Sequence, residues 1–256
     1  MSHQDKGLNL EVSSGRQCRI QKVVQAYKYR GAEYLWHKSM RRALERWPSL
    51  KRRVLYADPR HYWTLRGGHE YLAEQEGQKA RTARSNWLAH RIADCKPMTI
   101  LEVGCGYGKQ IANIRRIVGD VVQITGIDFS LSQLSLAQAH LRSDDNVFLI
   151  HGSGDRLPFA DHSFDLVLTS AVILHNPPEI ADKIRQEVLR VARCWCVHNE
   201  DTDTTYNRFG YDTAAWYQAR GLNRVDSSKI PVEVFAESDD PAGESERSQF
   251  CLVDLR

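Results

Sequence analysis

The stretch that decides the fold lies at residues 100–108, Ile-Leu-Glu-Val-Gly-Cys-Gly-Tyr-Gly. It begins with a short apolar run, which is typical of a strand buried in a parallel sheet. The glycines that follow allow the backbone to turn sharply and to approach a ligand without a clash from a Cβ atom. Residues 110–118 then show a helical pattern. We therefore predict a strand, a ligand-binding turn and a helix in succession.

The residues around this turn narrow down the ligand. A dinucleotide-binding fingerprint has its third glycine where this chain has Lys109, which argues against NAD and FAD. The Gly-Lys-Ser/Thr of a phosphate-binding loop is also absent from the sequence. Glu102, at the end of the strand, would repel a pyrophosphate, whereas it suits a ligand that carries an ammonium and a sulfonium group.

A second predicted strand ends in Gly-Ile-Asp-Phe-Ser at residues 126–130. A carboxylate at the carboxyl end of this strand can accept both hydroxyl groups of a ribose, so Asp128 is a candidate for that contact. Phe129 beside it would offer an apolar ring or its backbone to an adenine. The alternative for Asp128 is structural, namely the capping of the helix that follows.

Strands and helices alternate along most of the chain. Their order predicts an α/β, doubly wound domain with a mostly parallel, seven-stranded, Rossmann-like sheet and a helical N-terminal extension. We place the extension at residues 1–60 and the main domain at 61–256. The predicted strands are 99–103, 121–127, 147–150, 164–169 and 194–198, followed by a terminal pair at 232–236 and 249–255.

The predicted N-terminal extension is basic. Between Arg16 and Arg66 there are 14 Lys and Arg residues against three acidic residues, while the whole chain has a formal net charge of only +3. A basic arm on an acidic body suggests contact with an anionic partner, and solvated outer faces of helices account for the same pattern. The helical spacing of apolar residues over 20–46 also makes the arm a candidate homodimer contact.

The composition excludes several classes of protein. With 42% hydrophobic and 26% charged residues among 256, the chain fits neither a disordered nor a fibrous protein. No apolar run approaches the roughly 20 residues of a membrane span, and the N-terminus lacks the apolar core of a signal peptide. The six cysteines are scattered without a CxxC pair. We therefore expect free thiols, no metal site and a cytoplasmic location.

From Ile100 to about Glu200 the chain resembles the class I S-adenosylmethionine-dependent methyltransferases of the small-molecule type. Four motifs in order carry the resemblance: the glycine turn, Gly-Ile-Asp-Phe-Ser, Arg-Leu-Pro-Phe-Ala-Asp-His-Ser-Phe-Asp-Leu-Val-Leu at 156–168 and Val-Ile-Leu-His-Asn-Pro-Pro at 172–178. Residues 1–60 match none of these motifs. The resemblance implies methyl transfer with S-adenosyl-L-methionine as the cofactor.

The resemblance also implies which residues hold the cofactor. The methionine half would lie at the first strand and its turn, the ribose at Asp128 and the adenosine beside Phe129 and Gln133. The carbonyl group of Thr169 or Ser170 would receive the ammonium. The residues implied for the methionine half are Glu102, Gly104, Cys105, Gly106 and Gly108.

One position departs from the family pattern. Ser153 stands where these enzymes usually have an acid that binds the adenine amino group, and Asp155 lies two residues later. Ser153 would accept this bond more weakly than a carboxylate, and the predicted adenine contacts are Ser153, Gly154 and Asp155.

Candidate catalytic groups follow the fourth and fifth predicted strands. Methyl transfer from a sulfonium is an in-line displacement, so positioning the acceptor supplies much of the rate. His175 matches the family's recurrent histidine, whose imidazole would deprotonate or orient a hydroxyl. Glu200 and Asp201 are further candidates for a base or for a grip on the substrate. Structural packing of His175 and a solvated loop at 200–201 are the alternatives.

Aromatic residues before and after the predicted sheet are candidates for the walls of the site. Tyr206 and Tyr211 follow the fifth strand and are predicted to contact the substrate. Tyr62 and Arg66 precede the sheet, where related enzymes often have a lid, and are predicted to contact the substrate as well. Trp63 between them is predicted to contact the cofactor. The alternative for the aromatic rings is a place in the core.

The sequence thus predicts a methyltransferase that acts on a small molecule, with oxygen as the preferred acceptor atom, nitrogen or carbon as alternatives, and an anionic acceptor as one option. One rival is an RNA methyltransferase that uses the basic arm, although Asn176-Pro177-Pro178 lacks the aromatic residue that would stack a flipped base. The other rival is a non-catalytic partner protein that binds the cofactor.

Overall fold

The computed structural model describes residues 19–141 and 144–256. The chain divides into two compact units, Met1–Ala43 and Leu44–Arg256. The described part of the first unit is the helix α1 at Arg19–Ala43, whose backbone leaves the helical conformation at Gly31 (φ 78°, ψ 175°). Within α1 the guanidinium of Arg30 lies 4.4 Å from the ring centroid of Tyr34. This helix covers most of the segment for which helical spacing was predicted.

The second unit begins before the boundary that we predicted at residue 60. Its first helices are α2 (Pro48–Leu55) and α3 (Pro59–Arg66), each of which starts with a proline, where the missing N–H has no helical partner to lose. Leu55 on α2 and Tyr62 on α3 are buried. Both helices therefore belong to the compact unit that contains the sheet, because these two side chains are buried in the interior of that unit.

The remaining helices alternate with the strands. They are α4 (His69–Glu76), α5 (Lys79–Asp94), α6 (Lys109–Val118), α7 (Leu131–Leu141), α8 (Pro178–Val191), α9 (Thr213–Gln218) and α10 (Pro241–Arg247), with 3₁₀ turns at Ile173–His175 and Val232–Phe235. Among the described helices, none has both the length and the apolar character that crossing a bilayer would require.

A seven-stranded sheet forms the centre of the second unit. Its strands are β1 (Thr99–Val103), β2 (Gln123–Asp128), β3 (Val147–His151), β4 (Phe164–Ser170), β5 (Ala192–Asp201), β6 (Val225–Ser228) and β7 (Ser248–Asp254). The order across the sheet is β3-β2-β1-β4-β5-β7-β6. Strands β1 to β5 are parallel, whereas β7 runs antiparallel to β5 and β6. The predicted mostly parallel, doubly wound sheet is confirmed.

Two apolar layers cover the two faces of this sheet. Leu166 and Leu168 of β4 point into one layer and Val167 into the other, as expected when successive side chains of a strand alternate between faces. Helices α5 and α6 contribute to the first layer, and α8 contributes to the second. Because both faces are covered, ligands can reach the sheet only at its ends, and the glycine turn lies at the carboxyl end.

The prediction for the C-terminal strand pair was half wrong. Residues 232–235 form a 3₁₀ turn, and the partner of β7 is β6. Pro231, which cannot donate a ladder hydrogen bond, precedes this turn, and Phe235 is buried in the first apolar layer. The apolar alternation at 232–235 therefore reflects burial of a turn, while Val-Asp-Ser-Ser in β6 has too little apolar character to indicate a strand.

Candidate cofactor and acceptor site

The glycine turn after β1 leaves open space at one position. Gly104, Gly106 and Gly108 all have positive φ angles, of 73°, 54° and 81°. A Cβ on Gly104 would lie 2.5 Å from Val172 Cγ2, and one on Gly108 would lie 2.6 Å from Leu141 Cδ1, so both glycines are needed for packing. A Cβ on Gly106 would meet only Gln133 Nε2, at 3.9 Å. The turn therefore presents bare backbone to a cradle beside Gly106.

Glu102, near Asp128 at the end of β1, has a buried carboxylate with an unsatisfied oxygen. The residue is 3% exposed, and its Oε2 atom has no hydrogen-bond partner among the described residues. Burial, and then the nearby charge of Asp128, raise the pKa of Glu102 well above its ordinary value. A buried carboxylate without a partner is costly, and a cationic ligand group would satisfy it. This fits the predicted contact with an ammonium or sulfonium ligand.

Asp128 holds the turn from the end of β2. Its Oδ2 atom accepts the N–H of Gly106 at 2.9 Å, and its Oδ1 atom accepts the N–H of Ser130 at 2.8 Å, just before α7. Asp128 therefore has part of the structural role considered for it, since it accepts a backbone N–H just before the helix that follows. A carboxylate has about four lone-pair sites, so two remain for ligand hydroxyl groups, which keeps the predicted ribose contact compatible with the packing.

Three further predicted cofactor residues differ in the groups that they have available for a ligand: Gln133, Cys105 and Phe129. The Oε1 atom of Gln133 is buried without a partner, and this side chain lies between Gly106 and Gly67, where a Cβ on Gly67 would be 3.1 Å from Gln133 Cγ. The side chain of Cys105 packs towards Gly126 in the core, so Cys105 has only its backbone to offer a ligand. The carbonyl of Phe129 accepts from the ring of His151.

The predicted adenine end is occupied by an arginine that the sequence reasoning missed. Arg60 of α3 donates to Ser153 Oγ at 2.7 Å and to Asp155 Oδ1 at 2.5 Å. Ser153 Oγ also donates to Asp155. Gly154 packs against β1, since a Cβ there would lie 2.7 Å from Val103 Cγ1. The signal for Arg60 was weak because the partners lie more than ninety residues away along the chain.

Glu200 has a different environment from the solvated loop considered for it. Residues 200 and 201 are the last of β5, and Glu200 is 1% exposed. Its carboxylate accepts the N–H groups of Val172, Ile173 and Leu174 at 3.1–3.3 Å. Burial raises the pKa of Glu200 to about 7. In this position Glu200 holds the 173–175 turn and presents no free carboxylate oxygen to an acceptor, which corrects the expectation of a base at Glu200.

Asp201 is likewise committed to internal partners. It forms ion pairs with Arg84 of α5 at 2.6 Å and with Arg208 at 3.1 Å, and the residue is 6% exposed. The pKa of Asp201 lies below its ordinary value because these two arginines outweigh the effect of burial. The ion pairs tie the end of β5 to α5 and to the following loop, so the expectation of a base at Asp201 is corrected as well.

Thr169 and Ser170 at the end of β4 are tied to β5 by their side chains. Thr169 Oγ1 donates to Glu200 Oε1 at 2.8 Å and accepts from His198 Nδ1 at 2.8 Å. Ser170 Oγ accepts from the amide of Asn199 at 2.9 Å. The predicted contact of the Thr169 or Ser170 carbonyl with an ammonium stays a prediction.

His175 ends the 173–175 turn, which begins beside the glycine turn through the contact of Val172 with Gly104. The Nδ1 atom of His175 lies 2.6 Å from the carbonyl oxygen of Asn207. Because a carbonyl only accepts, Nδ1 carries the hydrogen, and Nε2 has a free lone pair without a partner among the described residues. Burial lowers the pKa of His175 to about 4, so the imidazole is neutral near pH 7.

Aromatic rings surround this imidazole. The Trp63 ring lies 4.6 Å from His175 in an edge-to-face arrangement, and Trp63 Nε1 donates to Tyr56 Oη at 3.1 Å. Tyr56 Oη in turn donates to the carbonyl of His175 at 2.6 Å. The hydroxyl groups of Tyr62 and Tyr206 lie 2.8 Å apart. The structure therefore brings Tyr62, Trp63, His175 and Tyr206 together, and it adds Tyr56, which had not been singled out.

Two predicted substrate residues lie at the margin of this cluster. Tyr211 Oη donates to the carbonyl of Asn176 at 2.8 Å, so its hydroxyl is used locally. Arg66 is ion-paired with Glu74, and its guanidinium lies 4.8 Å from the ring centroid of Tyr71. Their predicted contacts with a substrate stay predictions. Within residues 19–141 and 144–256, no cluster of three or more potential metal ligands is present.

Comparison with known proteins identifies the domain to which the middle of the chain belongs. Residues 100–194, which include the glycine turn, Asp128 and His175, match the model of the methyltransferase domain family. The chain carries a class I S-adenosylmethionine-dependent methyltransferase domain. The cofactor of this domain is S-adenosylmethionine.

The relatives of this methyltransferase domain include demethylmenaquinone methyltransferases. The chain is 39% identical over 97 residues to the one from Staphylococcus aureus strain MRSA252. This match covers 37% of this chain and 40% of the relative. It is also 39% identical over 92 residues to the one from strain JH9, covering 35% and 38%. The chain thus spans about two fifths of the length of the curated relatives that it matches.

Solved structures share the fold of the methyltransferase domain. A putative sarcosine dimethylglycine methyltransferase from Galdieria sulphuraria is 16% identical with a TM-score of 0.51, covering 67% of this chain and 84% of that one. The methyltransferase domain of a bacterial CtHen1 is 16% identical with a TM-score of 0.55, covering 69% and 100%. At these identities the likeness concerns the fold alone.

The residues present in the methyltransferase domain fit its cofactor. The unpartnered oxygens of Glu102 and Gln133 and the open cradle at Gly106 are features that a bound ligand with cationic and hydrogen-bonding groups would complete. Glu102 would face the cationic half, Asp128 the ribose and Gln133 the adenosine. The individual contacts stay predictions, because they were carried over from the resemblance.

Proposed function

We propose that the protein transfers the methyl group of S-adenosylmethionine to a hydroxyl oxygen of a small, planar acceptor of the hydroquinone or phenol type, which gives up its proton in the transfer, with nitrogen or carbon as the alternative atoms. The observation that carries this proposal is the neutral His175, whose free Nε2 atom belongs to an aromatic cluster one short turn away from the cofactor cradle. Bound S-adenosylmethionine would supply an electrophilic methyl group, and the chain would supply position and a proton acceptor.

The character of the cluster supports a planar acceptor. Trp63, Tyr56 and Tyr62 meet in edge-to-face arrangements with ring centroids about 5 Å apart, and aromatic surfaces favour flat, apolar ligands with a few polar groups. The name of the S. aureus relatives, demethylmenaquinone methyltransferase, supports the same class of acceptor. A hydroxyl on such an acceptor could donate to His175 Nε2, which is neutral at physiological pH.

Four cations of the basic segment have partners within the protein, which supports a small acceptor over RNA. Arg52 binds backbone carbonyl groups, Arg60 pairs with Asp155, and Arg66 pairs with Glu74. Lys51 is buried between Glu45 and the ring of Tyr206. These four cations are engaged within the second unit, and a phosphate backbone would have to compete for them.

A methyl-release assay tests the proposal. Purified protein is incubated with S-adenosylmethionine and separate pools of hydroquinones, phenols, amines and RNA, and S-adenosylhomocysteine is measured. We expect product with the hydroquinone or phenol pool, at least tenfold less product with His175→Gln, and no product with Asp128→Ala, which lacks the carboxylate that holds Gly106. Arg53→Gln, an exposed change on α2, is the matched control.

Two results would contradict the proposal. Product with RNA alone would favour the nucleic-acid rival, especially if a gel shift with the same RNA weakened steeply with salt. Cofactor binding by calorimetry without S-adenosylhomocysteine from any pool would favour a non-catalytic binding protein.

A further inference from the structure

We propose that Arg52 is a positioning residue: from α2 it fixes residues 205–209 so that the carbonyl of Asn207 holds the His175 imidazole in the Nδ1–H tautomer. This inference rests on the proposed function, in which the Nε2 atom of His175 faces the acceptor. We refer to residues 205–209 as the 205–209 turn.

Arg52 gathers most of the carbonyl groups of this turn. Its Nε atom donates to the carbonyl of Tyr206 at 3.2 Å, and its Nη2 atom donates to the carbonyls of Thr205 and Arg208. The guanidinium also lies 4.5 Å from the ring centroid of Phe209. Only an arginine combines a planar fork of five N–H donors with a face that stacks on a ring, so a lysine cannot reproduce this arrangement.

Of the carbonyls of residues 205–208, Arg52 leaves one unbound, and this one accepts from His175. Among the four consecutive carbonyls from 205 to 208, that of Asn207 accepts from His175 Nδ1 at 2.6 Å. The turn is closed by the N–H of Thr205, which donates to the carbonyl of Arg208 at 3.2 Å. It is docked on the 173–175 turn by the N–H of Phe209, which donates to the carbonyl of Leu174 at 2.8 Å. The direction of the Asn207 carbonyl therefore follows from the groups that Arg52 holds.

The same helix supports His175 from a second side. Tyr56 follows Arg52 by four residues, which places both on one face of the chain at the end of α2. Its hydroxyl donates to the carbonyl of His175 at 2.6 Å and accepts from Trp63 Nε1. The inner side of α2 thus fixes the backbone of His175 through Tyr56 and its ring through Arg52 and Asn207.

The consequence for the reaction lies in the tautomer. The hydrogen bond that one ring nitrogen makes decides which nitrogen is protonated. With Nδ1–H committed to Asn207, Nε2 is a pure acceptor and can receive the hydrogen of an acceptor hydroxyl. If the 205–209 turn moved, the Nε2–H tautomer would become available, and its hydrogen would point where the acceptor hydroxyl must donate.

Nuclear magnetic resonance of histidine side chains tests this directly and requires no acceptor. The full chain is labelled with ¹⁵N-histidine, and His175→Gln identifies the signals of residue 175. In the wild type we expect the pattern of a neutral Nδ1–H imidazole between pH 6 and 8. In Arg52→Lys we expect a mixture of the two tautomers, and in the matched control Arg53→Lys we expect the wild-type pattern.

Kinetic measurements complete the test. With an acceptor from the assay above, Arg52→Lys should lower kcat about tenfold and leave the Kd for S-adenosylmethionine within twofold, because Arg52 contacts none of the predicted cofactor residues. Arg52→Gln, which keeps an amide donor and part of the stem over Phe209, replaces the lysine variant if that variant does not fold.

The outcomes separate the two proposals. An unchanged Nδ1–H pattern in both Arg52 variants would overturn the positioning role, even if methyl transfer were found. A wild-type Nδ1–H pattern that is lost in the Arg52 variants would support the positioning role, and the absence of product from every acceptor pool would then contradict only the proposed function.

Discussion

Among the predicted cofactor residues, Glu102 is the one whose charge we expect to respond most directly to the cofactor. It lies buried at the end of β1 with one oxygen unpartnered, and burial raises the pKa of Glu102 well above its ordinary value. A cationic ligand beside it favours the ionised form. Binding and deprotonation of Glu102 should therefore be coupled.

We expect S-adenosylmethionine binding to release a proton from Glu102. Calorimetry at pH 7 in buffers of different ionisation enthalpy measures the number of protons released. The wild type should release more protons than Glu102→Gln, and its affinity should rise with pH because deprotonation of Glu102 costs less free energy at higher pH. Equal proton release by the wild type and the variant would contradict the assignment.

Gly106 and Gly119 form a matched pair for testing the cradle. Both have positive φ angles, of 54° and 79°, and an added Cβ would meet no protein atom closer than 3.9 Å at either position. Alanine should therefore cost stability at both sites through backbone strain, by about 1–3 kcal/mol. Only Gly106→Ala should also weaken S-adenosylmethionine binding, by more than tenfold, since its methyl group would fill the cradle. Comparable affinity losses in the two variants, measured by calorimetry, would show that strain alone is responsible.

At the level of elements, α3 connects the predicted cofactor and acceptor sides. Arg60 at its beginning contacts Ser153 and Asp155, and Trp63 in its middle contacts His175. Gly67, which caps its end, packs on Gln133. A single short helix thus contacts the residues predicted for the adenine, the candidate catalytic histidine and Gln133. A lid over the cofactor would make the same contacts.

Trp63→Ala should weaken S-adenosylmethionine binding about fivefold and lower turnover further, because it removes the ring beside His175 and the donor to Tyr56. Trp63→Phe, which keeps a ring, should fall between this variant and the wild type. Trp47→Ala serves as the control, since Trp47 is 58% exposed at the start of α2. A lid role would be rejected if Trp63→Ala bound and turned over like Trp47→Ala.

At the level of the whole molecule, a buried hydrogen-bond chain links the end of the sheet to the acceptor side. Tyr217 Oη donates to His198 Nε2, His198 Nδ1 donates to Thr169 Oγ1, and Thr169 donates to Glu200. Glu200 then accepts the N–H groups of Ile173 and Leu174 in the 173–175 turn. Burial lowers the pKa of His198 to about 3, so this chain is built on a neutral imidazole.

The wild type should lose stability on acidification in part through His198. Its folded pKa lies below the ordinary value of 6.5, so below pH 6.5 the unfolded state binds a proton that the folded state excludes. Its contribution is complete above pH 6.5 and is lost progressively as the pH falls towards 3. Between pH 7 and 5 the wild type should lose about 2 kcal/mol more than His198→Gln.

Urea unfolding at the two pH values measures this difference, with the exposed His140→Gln as the control for removing an imidazole. His175 titrates in the same direction but is present in all three proteins, so it cancels from the comparison. Parallel losses in the wild type and in His198→Gln would mean that His198 is not held neutral by the fold.

The sequence by itself determined the parallel strands of the sheet and the identity of the cofactor. Residues 100–108 and 126–130 each contain a strand, a turn and their key side chains within a few residues, so local periodicity and glycine placement were sufficient. Where local patterns were weak or ambiguous, as at 225–228 and 232–235, the prediction failed, because burial in the core, and not alternation, decided the conformation.

Only the tertiary structure decided the acceptor side. Glu200 and Asp201 looked like free acids in sequence, but one binds three backbone N–H groups and the other two arginines. Arg52 acts on residues 153 to 156 positions away, and Tyr56 on one 119 positions away. The protonation state, the tautomer and the orientation of these side chains depend on desolvation and on partners that folding brings together. No local sequence pattern encodes these partners.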